Sequence, residues 1–367
     1  MCGILCIISC SSDIKENILL QRLRNRGPDC TGSLVSKVNN ELFVTFYGTV
    51  LWTQGPNVTK QPVEDYQGVL LFNGDIYNQN WVKNKCDTNV LLTCLGACAS
   101  SRNEIINVVK DLKGPFCFIY LDKLTNQIYF ARDRIGRGSL LLHKSEKEIL
   151  ISSVLGKDYQ CVEIPATYIY VFNVKENIIT TFDWDEQVQN DYLIDEWLQN
   201  VEIEQNLSDS SRNINKNTEN VYFDEQILLL GSGADELFGG YVRHRNAYKR
   251  RGWPGLNGEL MLDWDRISFR NLARDNRVIC DHGRVPRLPY LDDDFTEYVL
   301  KLKPWFKCFP SDKLGTGIGD KLMLRLVAFH LGLKNAVTLP KRALQFGSRI
   351  ANKKQNGSDL SQILQIN

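Results

Sequence analysis

Long apolar runs are what this sequence most plainly lacks: none of its hydrophobic stretches reaches the length needed to span a bilayer. Charge of one sign is also missing, since 44 Lys and Arg against 43 Asp and Glu leave a net +1. That balance gives no global pull toward nucleic acid or a membrane surface. Histidine is scarce, with 4 in 367 residues and none near the N-terminus, so Cys2, Cys6 and Cys10 have no neighbouring imidazole to build a metal site. On a strand those three positions share one face, and a packed apolar face is the expected reading. Residues 1–10 carry neither a basic leader nor an adequate apolar segment, so no signal peptide is expected. Eleven cysteines without such a signal suit a reducing compartment, and the expected location is cytoplasmic.

What is present suffices to bury one or two cores, at 43% hydrophobic and 24% charged. Residues 1–185 alternate short apolar runs with turn signals, as in Phe43–Tyr47, Val69–Phe72, Phe116–Leu121 and Ile128–Ala131, with one helix expected near 88–99. That pattern suits two packed sheets flanked by helices. Residues 186–225 hold an amphipathic helix, with Ile194, Trp197, Leu198 and Val201 on one face, followed by a polar linker. Residues 226–352 read as helix-dominated, for example Asp320–Leu331, with a single strand at Ile227–Leu230. Residues 353–367 form a polar tail. The basic run Arg243-His244-Arg245 with Lys249-Arg250-Arg251 reads as a solvated helix face, with an anion site as the alternative.

The candidate chemistry begins at Cys2. Removal of Met1 would put a thiol and a free α-amino group on one residue, and an amine with a pKa of roughly 7.7–8.0 can act as a base near neutrality. A small buried cysteine in the first strand is the alternative. Asn73-Gly74 is either a pair of oxyanion donors or an ordinary hairpin turn. Asp75 is a ligand or a solvated turn carboxylate, and Asp87 a ligand or a helix N-cap.

Four segments follow the opening Met1-Cys2-Gly3-Ile4 in order: Asn25-Arg26-Gly27-Pro28-Asp29, Leu70–Asn78, Gly114–Asp122 and Ala131–Arg137. Together they resemble the class II glutamine amidotransferase domain over about half of the chain. The resemblance implies an α+β chain whose N-terminal part is an αββα N-terminal-nucleophile sandwich. It also implies glutamine as substrate, Cys2 as nucleophile, Asn73 and Gly74 as the oxyanion hole, Asp87 holding the substrate's α-ammonium, and Asp75, where the family usually has a glutamate, also facing the substrate. The family's arginine for the substrate α-carboxylate comes from a segment that here reads Phe46–Gly55, without Arg or His.

A second resemblance begins at Ile227–Tyr241, where an apolar run feeds Gly231-Ser232-Gly233-Ala234-Asp235, and continues in Arg287–Asp292, Gly319–Arg325 and Leu339–Arg349. These segments are similar to the synthetase domain of asparagine synthetases, an adenine nucleotide alpha hydrolase-like domain. The likeness implies ATP and Mg2+ as cofactors, with Gly231, Ser232 and Gly233 approaching phosphate and Asp235 holding the metal. The Ser-Gly-Gly-x-Asp-Ser loop that completes such a site is missing, and Ala343 stands where the family has a lysine. Residues 226–352 therefore read as a mostly helical remnant.

Two function classes follow. One is a glutamine-hydrolysing enzyme of the asparagine-synthetase kind, the other a non-catalytic relative acting as a binding or regulatory module. A protein partner or homo-oligomer fits either. Nucleic acid and membrane are not expected partners.

Overall fold

The computed structural model describes residues 2–11, 18–39, 41–53, 55, 57–78, 86–156, 158–208, 226–315 and 317–341. Met1, the linker 209–225, Arg342, Ala343, Phe346 and the tail 353–367 lie outside the described residues. The chain divides into two compact units. The first comprises 1–205 with 226–229 and 268–287, and the second 206–225, 230–267 and 288–367.

The first unit is built on two antiparallel sheets. One has six strands in the order Cys161–Glu163, Leu141–Lys144, Glu148–Ser152, Gly3–Ser9, Phe43–Val50, Cys30–Lys37. The other has seven, in the order Gln189–Leu193, Ile178–Asp183, Tyr168–Asn173, Gln127–Arg132, Phe116–Asp122, Gly68–Gly74, Val63–Glu64.

Alternation decides what each face does. Ile4, Cys6 and Ile8 from the first sheet meet Val69, Leu71, Cys117, Ile119 and Phe130 from the second in a core between the two. The opposite face of the seven-stranded sheet, with Leu70, Phe72, Phe118 and Tyr120, packs on the helices Asp87–Ala97 and Arg102–Lys110 through Leu91, Leu95, Ile105 and Val109. The helix Ile18–Arg26 covers the outer face of the six-stranded sheet through Leu19, Leu20 and Leu23. The result is four layers: helix, sheet, sheet, helix. Each fully buried Ile, Leu or Phe in them contributes about 1.5–3 kcal/mol relative to exposure.

This unit extends past the expected boundary at residue 185. Gln189–Leu193 forms the edge strand of the larger sheet, and the helix Ile194–Ser208 seals the inter-sheet core with Ile194, Trp197 and Val201. The strand expected alone at 227–230 is instead paired. Ile227–Leu229 runs parallel to Val285–Arg287, a partner too short and too proline-interrupted to read as a strand in sequence.

In the second unit the described residues form the helices Ala234–Phe238, Val242–Ile267, Asp293–Lys301, Pro304–Lys307 and Leu322–His330. The basic run after Tyr241 is not a solvated face throughout. His244 is fully buried and its Nε2 lies 2.7 Å from Asp263 Oδ2, while Arg243 also grips Asp263. Arg245 pairs with Asp320.

One buried carboxylate in the first unit organises a whole corner. Asp133, 1% exposed, accepts from the backbone N–H of Ile135 (3.1 Å), Gly136 (3.1 Å), Arg137 (3.0 Å) and Phe116 (3.3 Å), and from Arg137 Nε (2.9 Å). Arg137 in turn donates to Gly114 O at 2.7 Å. The segment Gly114–Phe116 is thus held from both sides. Asp133→Ala would take the carboxylate partner from a buried guanidinium and the acceptor from several N–H groups, a loss of about 3–5 kcal/mol. Urea denaturation should register it as a lower midpoint, with Asp133→Asn falling between the two.

Candidate functional site

Cys2 lies one residue before the strand Gly3–Ser9, in phase with Ile4 and Cys6, so it belongs to the face that looks between the sheets. The strand is pinned beside it. Gly3 N–H donates to Thr49 Oγ1 at 3.1 Å, Thr49 donates to Leu23 O at 2.6 Å, and Ile4 N–H donates to Ser153 Oγ at 3.1 Å. Cys2 is half-buried and lines a cavity with Gly74, Asp75, Cys86, Asp87 and Val285. Cys6 is packed in the apolar core and Cys10 is exposed, and no group of three metal-binding side chains occurs among the described residues.

Gln61 ties this cavity together. Its amide oxygen accepts from Phe72 N–H at 2.8 Å, its amide nitrogen donates to Phe72 O at 2.7 Å, and the same nitrogen lies 3.8 Å from Cys2 Sγ. Gly48 makes room for it, because a Cβ there would sit 2.8 Å from Gln61 Cβ. A residue from the loop after Phe43–Val50 therefore links the thiol to the strand Gly68–Gly74. Nothing about a lone Gln-Pro pair announces that role in the sequence.

Asn73 and Gly74 end the strand Gly68–Gly74, paired with Cys117 and Phe116, so they are not a hairpin turn. Asn73 is fully buried in phase with Val69 and Leu71, which turns its amide toward the sheet that carries Cys2. Its Nδ2 donates to Cys117 Sγ at 3.6 Å, and its Oδ1 is buried with no hydrogen-bond partner. Gly74 has φ +152°, and a Cβ there would overlap Pro115 O and touch Phe116. Only glycine fits that approach.

Asp75 follows with its N–H on Pro115 O at 2.9 Å. At 3% exposed it is not a solvated turn carboxylate; it forms an ion pair with Arg287. Asp87 is the first residue of the helix Asp87–Ala97 rather than its cap, and its Oδ2 accepts from Ile76 N–H at 2.7 Å. Asp29 accepts from Trp52 N–H at 2.6 Å, which fixes the loop where the expected arginine is missing. Val50, Leu51, Trp52 and Thr53 present only apolar groups, a hydroxyl and backbone to the cavity there.

In the second unit, Gly231, Ser232 and Gly233 make the turn into Ala234–Phe238, with Gly233 at φ +91° against Leu291. Asp235 is already engaged: Lys321 Nζ lies 2.8 Å from Oδ1 and Lys341 Nζ 3.4 Å from Oδ2. Mg2+ takes carboxylate oxygens in a tight octahedron shared with phosphates. A carboxylate neutralised by two ammonium groups does not fit that ion, and with it goes the fit to Mg2+-ATP. The sequence missed this because the two lysines are remote from the glycine turn.

The glutamine amidotransferase domain family matches residues 1–157. That match covers 157 of the 367 residues, so it is the N-terminal part of the chain that is similar to a glutamine amidotransferase domain. An asparagine synthetase domain-containing protein of Drosophila melanogaster is 27% identical over 570 aligned positions, covering 98% of this chain and 100% of that protein. The alignment is longer than the 367 residues of this chain, so at least 570 − 367 = 203 positions have no counterpart here. Asparagine synthetase domain-containing protein 1 of Homo sapiens is 47% identical over 144 residues, 38% of this chain and 22% of that protein. The match thus spans under a quarter of the human relative. A glutamine phosphoribosylpyrophosphate amidotransferase structure from B. subtilis aligns with TM-score 0.39 at 16% identity, over 51% of this chain and 50% of that one. That likeness is too loose to carry an argument.

At the cavity, burial pushes the Cys2 thiol up, and the Asp75 carboxylate adds to the shift. A raised thiol stays protonated through neutrality and yields thiolate only as pH rises past the ordinary thiol range. Alkylation of Cys2 by iodoacetamide, followed by mass spectrometry of its peptide, should therefore accelerate with pH, with a midpoint above the ordinary thiol range.

Proposed function

We propose that this chain hydrolyses the side-chain amide of glutamine, with Cys2 as nucleophile. The observation that carries the reading is a single cavity lined by a half-buried thiol, a glycine N–H and two carboxylates. The family match over residues 1–157 supports the same chemistry.

The thiolate attacks the amide carbon, and the carbonyl π-electrons move onto oxygen. Gly74 N–H and the Asn73 amide are the donors for that oxyanion, whose stabilisation is worth several kcal/mol. Collapse breaks the C–N bond and ammonia leaves with a proton from the base, giving a thioester on Cys2. Water then attacks the thioester, releasing glutamate and restoring the thiol. The base is the α-amino group of Cys2, which requires loss of Met1. Asp75 and Asp87 hold the α-ammonium of the substrate.

We do not extend the proposal to asparagine synthesis. Asp235 is held by lysines and the Ser-Gly-Gly-x-Asp-Ser loop is missing, which suits a second unit that is a helical remnant of a synthetase domain. The second reading, a binding or regulatory module, gains from the raised Cys2 thiol and from the missing arginine in Phe46–Gly55.

Glutamate release from glutamine by the purified chain tests the proposal. Cys2→Ala should abolish it, and Asn73→Ala should lower kcat by roughly 10²–10³-fold with an unchanged melting temperature. Release by Cys2→Ala at the wild-type rate, or none by the wild type after Met1 removal, would count against the enzyme.

A further inference from the structure

The glutaminase reading leaves one gap: the segment Phe46–Gly55 offers no cation for the α-carboxylate of glutamine. A substrate zwitterion with only carboxylates around its head group would be bound through one charge and repelled through the other. The cavity does have a guanidinium at its edge, from far along the chain. Arg287 ends the strand Val285–Arg287, whose first residue lines the cavity beside Cys2 and Asp75.

We propose that Arg287 and Asp75 form a zwitterion reader, with Arg287 taking the α-carboxylate and Asp75 the α-ammonium of glutamine. The proposal rests on the glutaminase reading and deepens it. An amino acid carries its two charges on neighbouring atoms of one carbon. An ion pair of carboxylate and guanidinium presents the complementary charges side by side, so a zwitterion can lie across it with each charge opposite its partner.

The contacts of Arg287 suit this use. Its pairing with Asp75 and its 3.3 Å bond to Tyr77 OH both involve Nη1. A guanidinium has five donors in a fixed fork, so the Nε and Nη2 edges remain to meet a second carboxylate. The side chain is 24% exposed against 4% for Asp75, which leaves it open to a ligand while the carboxylate is fixed behind it. Burial of Asp75 makes the pair stiff. A ligand carboxylate then meets a donor array already aimed, with little side-chain freedom left to lose.

The test separates reading the carboxylate from merely neutralising Asp75. Cys2→Ala protein, unable to turn substrate over, is titrated calorimetrically with L-glutamine and with 4-aminobutanamide, the same molecule without its α-carboxylate. Arg287→Gln in that background should weaken glutamine by about 10- to 100-fold, the size of a lost charged hydrogen bond. It should leave 4-aminobutanamide within about twofold. Asp75→Asn should weaken both ligands. Equal weakening of both by Arg287→Gln would make Arg287 structural and overturn the proposal, as would unchanged glutamine binding. If the parent protein binds neither ligand, the glutaminase reading falls and takes this one with it. Should Arg287→Gln fail to fold, Arg287→Lys keeps a cation on Asp75 without the fork and should lose affinity for glutamine alone.

Discussion

The approach of Gly74 to the backbone of Pro115 and Phe116 is the contact on which the geometry of the cavity depends. No side chain fits between these segments, so the end of the strand Gly68–Gly74 can only be as well placed as residues 114–116 beneath it. Those residues are placed by Asp133, which receives Phe116 N–H, and by Arg137, which Asp133 orients and which reaches Gly114 O. Arg132 extends the same corner, donating to Gly138 O at 2.6 Å and Ile164 O at 3.0 Å. The Ala131–Arg137 motif is therefore a bracket. It does not line the cavity, yet the direction of Gly74 N–H and the depth of Asp75 follow from it.

The thiol is placed from the other sheet by a similar economy. Thr49 and Ser153 fix the first two residues of the strand after Cys2, and Gln61 closes both hydrogen-bonding groups of Phe72 while its amide nitrogen lies 3.8 Å from Cys2 Sγ. Two sheets that share only apolar side chains could slide by fractions of an ångström. Gln61 adds a directional contact beside Cys2, as the ion pair of Arg132 with Glu163 does elsewhere between the sheets.

Much of this was legible in the sequence because it is local. The layered first unit follows from short alternating runs, and Cys2, Gly74 and Asp87, each near an end of such an element, line one cavity. What stayed hidden is what depends on distant contacts. Arg287 meets Asp75 across 212 positions, and no pattern near residue 75 reveals it. Val285–Arg287 carries a proline in its middle and reads as loop until its parallel partner is seen. Lys321 and Lys341 convert Asp235 from an expected metal ligand to a neutralised carboxylate, although each is unremarkable in its own segment. The asymmetry is physical: periodicity reports the neighbours a residue has along one element, whereas a site is assembled from elements that sequence alone does not bring together.

The central claim is that Cys2 is aimed at the amide carbon of a bound glutamine. A glutamine analogue carrying an electrophilic diazoketone in place of the amide tests it directly, because the other ten of the chain's eleven cysteines are competitors. Intact-mass and peptide analysis after incubation near neutral pH should find one adduct per chain, on Cys2, and its formation should slow when glutamine is added. Adducts spread over exposed cysteines such as Cys10, or none on Cys2 in protein from which Met1 has been removed, would contradict the account.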